Sequence, residues 1–338
     1  MKRVLLVRLD SAGDVLLMGP AVRAVASHAR VTLLCGPRGL QAAQSLPGVD
    51  DLLVYRAEWI DPEPQPLDIE ATRALLQEVG ARRFDEAIVF TSFHQSPLPT
   101  ALLLRLAGLP KVAAISPDYP GSLLDLRHAV PDDVHEVERA LSLAEAAGYR
   151  LPPEDEGRLE IQRSGESPLG EERYVVVHPG ASVPSRALSA ERNAALVSRL
   201  AAVRSVVVTG GREERDLTRF VAGADALDLG GRTGWNELAE VLAGADAVVV
   251  GNTGPAHLAA AVGTPVVSLF APVVPAVRWR PWGVPHVLLG DQGAPCAGTR
   301  ARLCPVEGHP CLDAIPLSQI IGAVEELAPL RRPEAALR

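Results

Sequence analysis

Two loops and one glycine-rich turn in this chain have the residue types to do chemistry at a phosphate ester. The segment 246–272, DAVVVGNTGPAHLAAAVGTPVVSLFAP, runs a β-branched stretch into a Gly/Thr turn that reopens as a short helix. Thr253 stands where an N-cap belongs and Pro255 at the first helical position, so the helix is expected to start there with its free N–H groups pointing out of the sheet. Diphosphates bind at such ends. Gly251 and Gly254 let an anion approach the backbone, and His257 adds a donor in the first turn. The same letters also suit an ordinary strand-to-helix connection.

A second loop, RLDSAGDVLLMGPAV at 8–22, holds two carboxylates, Asp10 and Asp14, with Gly13 to permit a tight turn. An aspartate at a helix start serves either as a cap and dipole partner or as a general base that takes a proton from a hydroxyl nucleophile. Nothing local chooses between the two acids. In the third segment, HPGASVPSRALSAE at 178–191, small residues, the Ser182 hydroxyl and the Arg186 cation suit a turn that contacts phosphate. There Arg186 would balance charge developing on a diphosphate leaving group; its plain alternative is a solvated arginine before a helix capped by Ser189. After 208, TGGREERDL places Glu213 and Glu214 where an acid accepts hydrogen bonds from ribose hydroxyls, or where acids simply favour a helix start.

These loops need a scaffold that sets strand ends side by side. Short apolar runs at 4–7, 31–35, 52–55, 86–90 and 111–115 alternate with helical stretches such as 19–27 and 70–79, the rhythm of a parallel sheet. A second series follows at 174–177, 205–208, 226–229, 246–250, 265–270 and 286–289. Between them, 151–172 is rich in Pro, Gly, Ser and Glu, with 158–161 strand-like and a linker expected near 163–172. Two doubly wound α/β domains facing across a cleft would put ligands beyond the carboxyl ends of their strands, where the loops after 7, 177, 208 and 250 lie.

Composition narrows the function. The 338 residues carry 47% hydrophobic content and a net charge of −8, enough for two cored domains and a poor match to nucleic acid. Lys2 and Lys111 are the chain's two lysines, so its positive charge is almost all arginine. The N-terminal apolar run is broken by Arg8 and Asp10, too short for a signal peptide, and no segment approaches about 18 uninterrupted apolar residues. A cytoplasmic protein is expected, with peripheral contact at the inner face of the membrane compatible with it. Cys296, Cys304 and Cys311 share a Pro/Gly-rich stretch with His309 but lack a CxxC pair, and read as reduced structural thiols rather than a zinc site. The absence of a DxD triplet argues for metal-independent chemistry, and no cofactor is expected. The missing GxGxxG, GxxxxGK[ST] and GxSxG patterns count against a dehydrogenase, a P-loop kinase and a serine hydrolase.

DSAGDVLLMGPAVRAV, HPGAS with a following cation, TGGREE, HEVERALSLAEAAG at 135–148 and GNTGPAHLAAAVGTPVVSLFAP, taken in order with the Cys/His stretch at 296–311, resemble glycosyltransferase family 9, the ADP-heptose:lipopolysaccharide heptosyltransferases. The resemblance covers nearly the whole chain. It implies a GT-B fold of two Rossmann-like domains: an acceptor-binding domain at 1–165, a nucleotide-sugar-binding domain at 172–316, and a helix and tail at 317–338 leading back toward the first. By the same resemblance Asp14 is the catalytic base, Asp10, Ser11 and Gly13 its acceptor-side loop, and Arg186 the cation that meets the leaving group. Ser182, one of Glu213 and Glu214, Asn252, Thr253, Gly254, Pro255 and His257 bind the donor. The implied reaction is inverting, metal-independent transfer of heptose or a related sugar from a nucleoside-diphosphate donor to a hydroxyl of a cell-envelope glycan or glycolipid. A nucleotide-sugar epimerase or hydrolase, or a non-catalytic sugar-nucleotide binder, are the rival readings. Departures from the family pattern are Asn252 in place of a frequent aspartate, Arg186 in place of lysine, and Ala187-Leu188-Ser189 in place of Arg-Trp-Pro.

Overall fold

The computed structural model describes residues 1–330 apart from 164, 166, 167 and 171. The chain divides into two compact units, Met1–Gln162 and Arg163–Arg338. In the first, β1 (Lys2–Arg8), β2 (Ala29–Cys35), β3 (Asp51–Val54), β4 (Glu86–Val89), β5 (Val112–Ile115) and β6 (Leu126–His128) form a sheet in the order β3-β2-β1-β4-β5-β6. In the second, β7 (Tyr174–His178), β8 (Ser205–Val208), β9 (Leu227–Asp228), β10 (Ala247–Gly251), β11 (Val266–Leu269) and β12 (His286–Leu289) take the order β12-β11-β10-β7-β8-β9. Every pairing is parallel. Both sheets therefore start at a central strand, wind outward, and reverse, so each has one switch point, β1/β4 in the first and β7/β10 in the second.

Burial on both faces explains why the strands read as unbroken apolar runs: Val4, Leu5, Leu6 and Val7 of β1 are fully buried, as are Val175 and Val176 of β7. The first core packs Leu5, Val7, Val89 and Val112 against Leu75, Val79 and Leu104. In the second, Val177, Val208, Val249 and Val267 pack against Leu196, Leu200 and Val221. The closing helix Leu317–Leu327 belongs to that second core through Ile320, Ala323 and Val324. The expected return of the tail falls largely on 331–338, which lie outside the described residues, as do 164, 166, 167 and 171 of the expected linker.

Two local expectations are corrected. Residues 158–161 form no strand; Arg23 pairs with Asp155 at 2.6 Å and donates to the Arg158 carbonyl, which holds this stretch as irregular chain against the helix Gly19–Ala26. Gly13 makes no tight turn either, since it sits buried inside the helix Ala12–Leu17. Both lysines serve one acid at the amino edge of the first sheet: Nζ of Lys111 and of Lys2 lie 2.8 and 3.4 Å from Glu86, the buried first residue of β4, which also accepts from the Tyr149 hydroxyl. Among the described residues no helix is long and apolar enough to cross a membrane.

Candidate active site

At the first switch point, β1 ends in Arg8 and the chain turns through Asp10 into the helix Ala12–Leu17, with Asp14 in its first turn. Ser11 occupies the N-cap position yet makes no capping bond; its hydroxyl instead donates to Asp14 Oδ2 at 2.7 Å. Asp14 is thus not the cap, and its carboxylate is held from two sides, by Ser11 and by Arg8 Nη2 at 3.1 Å. The Arg8 guanidinium also reaches Asp10 at 2.7 Å, Glu136 at 3.8 Å and the Ser92 hydroxyl at 3.0 Å. Gln95, in the loop after β4, donates to Asp10 and accepts from the Ser92 backbone N–H.

Exposure separates the acids that the sequence left tied. The side chains of Arg8, Asp10 and Glu136 are 4, 6 and 1% exposed, whereas Asp14 is 19% exposed. Asp14 is therefore the more accessible of the two carboxylates. Burial pushes the Asp10 carboxyl up to about 6, with Arg8 pulling the other way and Asp14 adding to the rise. Asp10 is a buried partner of Arg8 and Gln95, not an open base.

The second switch point is built differently. The loop after β7 passes the exposed Ser182 and forms the short turn Pro184–Arg186. A side chain on Gly251, at the end of β10, would put its Cβ 2.4 Å from the Arg186 carbonyl oxygen. Gly251 is therefore needed for backbone contact between these loops, where the sequence suggested room for an anion. That contact brings Arg186 beside the turn of Asn252, Thr253 and Gly254. Thr253 is the N-cap of the helix Gly254–Ala261 with no capping bond from its side chain, Pro255 sits in the first turn, and His257 is buried behind it.

Asn252 has a structural contact of its own. Its amide accepts from the Ala271 N–H at 3.2 Å and donates to the Ala271 carbonyl at 3.3 Å, and the residue is buried. It latches the turn to the chain leaving β11, and each bond uses one of the two donor or acceptor places on its amide. An aspartate here would set a carboxylate against a carbonyl oxygen.

The two glutamates also part. Glu213 is exposed. Glu214 turns inward, accepts from the Gly211 N–H at 2.7 Å, and lies over Gly180, where an added Cβ would come within 1.9 Å of its carboxylate. Beneath it His178, the buried end of β7, is 3.9 Å from the Glu214 carboxylate and bonded to the Thr209 hydroxyl at 3.0 Å. Burial lowers the His178 imidazole below its usual range, against the pull of Glu214.

The Cys/His stretch braces Arg186. Ser185 donates through its N–H to the Arg302 carbonyl at 3.0 Å and through its hydroxyl to the Ala301 carbonyl at 2.6 Å, while His309 Nε2 lies 3.1 Å from the Ser185 carbonyl. Burial, with Cys296 and Cys304 nearby, pushes the Cys311 thiol up to about 12, so it stays protonated. Among the described residues no three His, Cys, Asp or Glu side chains are placed to hold a metal ion. Of the departures at 187–189, Leu188 is buried in the second core, and Ser189 is the N-cap of the helix Ala190–Ala201 with no capping bond from its side chain, while its N–H donates to Asp313 at 3.0 Å.

Sequence reasoning passed over Arg8, Ser92, Gln95 and His178. The signal for Arg8 and His178 was a polar residue closing an apolar strand; Ser92 and Gln95 come from a loop 84 and 85 residues away from their partners and left no local mark.

Two doubly wound parallel sheets, with these groups at the carboxyl ends of their strands, define a GT-B protein. The family pattern of glycosyltransferase family 9 (heptosyltransferase) matches residues 72–309, and the chain belongs to that family of sugar-transferring enzymes. The matched span contains the second switch point; the Asp14 loop precedes it. Lipopolysaccharide heptosyltransferase 1 of Pseudomonas aeruginosa is 28% identical over 331 residues, covering 89% of this chain and 87% of that protein. Lipopolysaccharide heptosyltransferase 3 of Escherichia coli is 28% identical over 200 residues, 56% of each, so the chain spans about half the length of that relative. The structure of ADP-heptose lipopolysaccharide heptosyltransferase II of E. coli superposes with a TM-score of 0.74 at 19% identity, covering 97% of this chain and 98% of the other, which establishes the fold.

Proposed function

We propose that this chain is an inverting glycosyltransferase that moves a heptose or closely related sugar from a nucleoside-diphosphate donor, of the ADP-heptose kind, to a hydroxyl of a cell-envelope glycan or glycolipid. The first unit takes the acceptor and the second the donor. Asp14 removes the acceptor hydroxyl proton; the freed oxygen pair forms a bond to the anomeric carbon as the bond from that carbon to the diphosphate oxygen breaks. The diphosphate leaves with that electron pair. Displacement in one step inverts the anomeric configuration. Arg186 and the N–H groups opening the helix Gly254–Ala261 meet the charge on the leaving group, doing the work that an aspartate-held divalent ion does in other sugar-nucleotide sites.

The observation that carries this reading is Asp14: of the three acids around Arg8 it is the accessible one, held by Ser11 and Arg8 in a chain that belongs to family 9. The names of the aligned heptosyltransferases support the sugar and the lipopolysaccharide acceptor. Transfer at the inner face of the cytoplasmic membrane, by peripheral contact with the lipid-borne acceptor, completes the proposal.

The test incubates the purified chain with ADP-heptose and lipopolysaccharide from a heptose-deficient strain. Mass spectrometry is expected to show acceptor heavier by one heptosyl residue and an equivalent of ADP, and almost none of either with Asp14→Asn. Donor consumed without adduct would reject the transferase, and full transfer by D14N would reject the base.

A further inference from the structure

Arg8 sits among three acids and a hydroxyl: Asp10, Asp14 and Glu136 lie within 2.7 to 3.8 Å, and the Ser92 hydroxyl at 3.0 Å. Each nitrogen has its own task. Nε meets Asp10, Nη1 meets Glu136 at the first turn of the helix Glu136–Ala146, and Nη2 is shared by Asp14 and Ser92. The two carboxylates at Nε and Nη1 are almost wholly buried, so the guanidinium is fixed from behind while one edge is presented to the accessible acid. Asp10 is in turn held by Gln95, and Gln95 by the Ser92 N–H, which closes a ring joining the loops after β1 and β4. Only a planar fork with donors on several edges can serve four groups in different directions; an ammonium is a point charge.

We propose that Arg8 is a positioning residue for the transfer reaction, aiming the Asp14 carboxylate and tying it through Ser92 and Gln95 to the loop after β4. The proposal rests on the reading of Asp14 as the base. Removing the cation takes away positive charge that balances buried carboxylates, so Arg8→Ala endangers folding. Arg8→Gln and Arg8→Lys are the informative variants, because the first keeps hydrogen bonding without charge and the second keeps charge without the fork.

Two measurements on the full chain separate the possibilities. With ADP-heptose and heptose-deficient lipopolysaccharide, kcat is expected to fall on the order of a hundredfold in R8Q and tenfold or more in R8K, with KM for the donor unchanged, as misaiming of a base requires. In protein labelled with 13C at the aspartate carboxyl, the Asp14 resonance, assigned by its loss in D14N, is expected to titrate about one pH unit or more higher in R8Q and near its original position in R8K. Charge and aim then separate, since R8K restores the titration but not the rate. Wild-type kcat in both variants, with D14N inactive, overturns the positioning role and leaves the base assignment standing. If D14N transfers at full rate the base assignment fails, and an Asp14 titration unmoved in R8Q would by itself overturn the link between the two side chains.

Discussion

The two switch points share a strand order and differ in what they are made of. At β1/β4 the edge consists of side chains: Arg8, Asp10, Asp14, Ser92, Gln95 and Glu136 hold one another across loops distant in sequence. At β7/β10 side chains turn mainly to backbone: Gly251 admits the Arg186 carbonyl, Asn252 bonds the Ala271 backbone, and Glu214 accepts from the Gly211 N–H. The difference fits the proposed chemistry. Proton removal needs one titratable group accurately aimed, whereas a diphosphate needs several N–H donors and open space.

If that contrast is right, the first edge fails when a side chain is altered and the second when the backbone is crowded. The largest effect is expected from Asp14→Asn, a loss of about a thousandfold in transfer rate with the thermal stabilisation by ADP-heptose retained, read by kinetics and melting curves. Arg186→Ala, the side-chain exception at the second edge, is expected to lower kcat on the order of a hundredfold. Gly251→Ala tests the crowding directly. Its methyl group meets the Arg186 carbonyl rather than a yielding side chain, so the melting temperature and the stabilisation by ADP-heptose should both fall. Unchanged values would show that the loops part without cost. Asn252→Asp should destabilise the chain by about 1–3 kcal/mol in denaturant unfolding, because the Ala271 carbonyl loses its donor and faces an acid.

The smallest effect concerns Asp10. Its native proton is held to about pH 6 by burial, while the unfolded chain releases it near the ordinary value of 3.8. Between those values the native state binds more protons, so this group's contribution to stability declines as pH rises through the window. Asp10→Asn should remove that slope, measured as the pH dependence of unfolding between about pH 4 and 6. An unchanged slope would mean that Asp10 stays ionised throughout the window.

Most strands were legible because burial on both faces leaves a β-branched run with few rivals, as at 205–208, where the expected limits match β8; the edge strand β12, only half-buried, was legible at 286–289 from its short apolar run. β6, only Leu126–His128 and half exposed at a sheet edge, has no such run and went unread. The strand expected at 158–161 failed for the opposite reason: its alternation is real, but Arg23 takes the segment for a side-chain contact. At the site, residue types pointed to the loops and resemblance pointed to Asp14. What stayed hidden was which polar groups serve each other. Asn252 as a backbone latch and Arg8 as a hub depend on contacts made only when distant loops meet.

The Glu86 ion cluster has a practical consequence. With both lysines gathered at the amino end of β4, the lysine ammonium groups are confined to one border of the first sheet, opposite the border that carries Asp14. Coupling through lysine to a bead or sensor surface would thus attach the first unit by that border and leave its Asp14 border pointing outward into the assay.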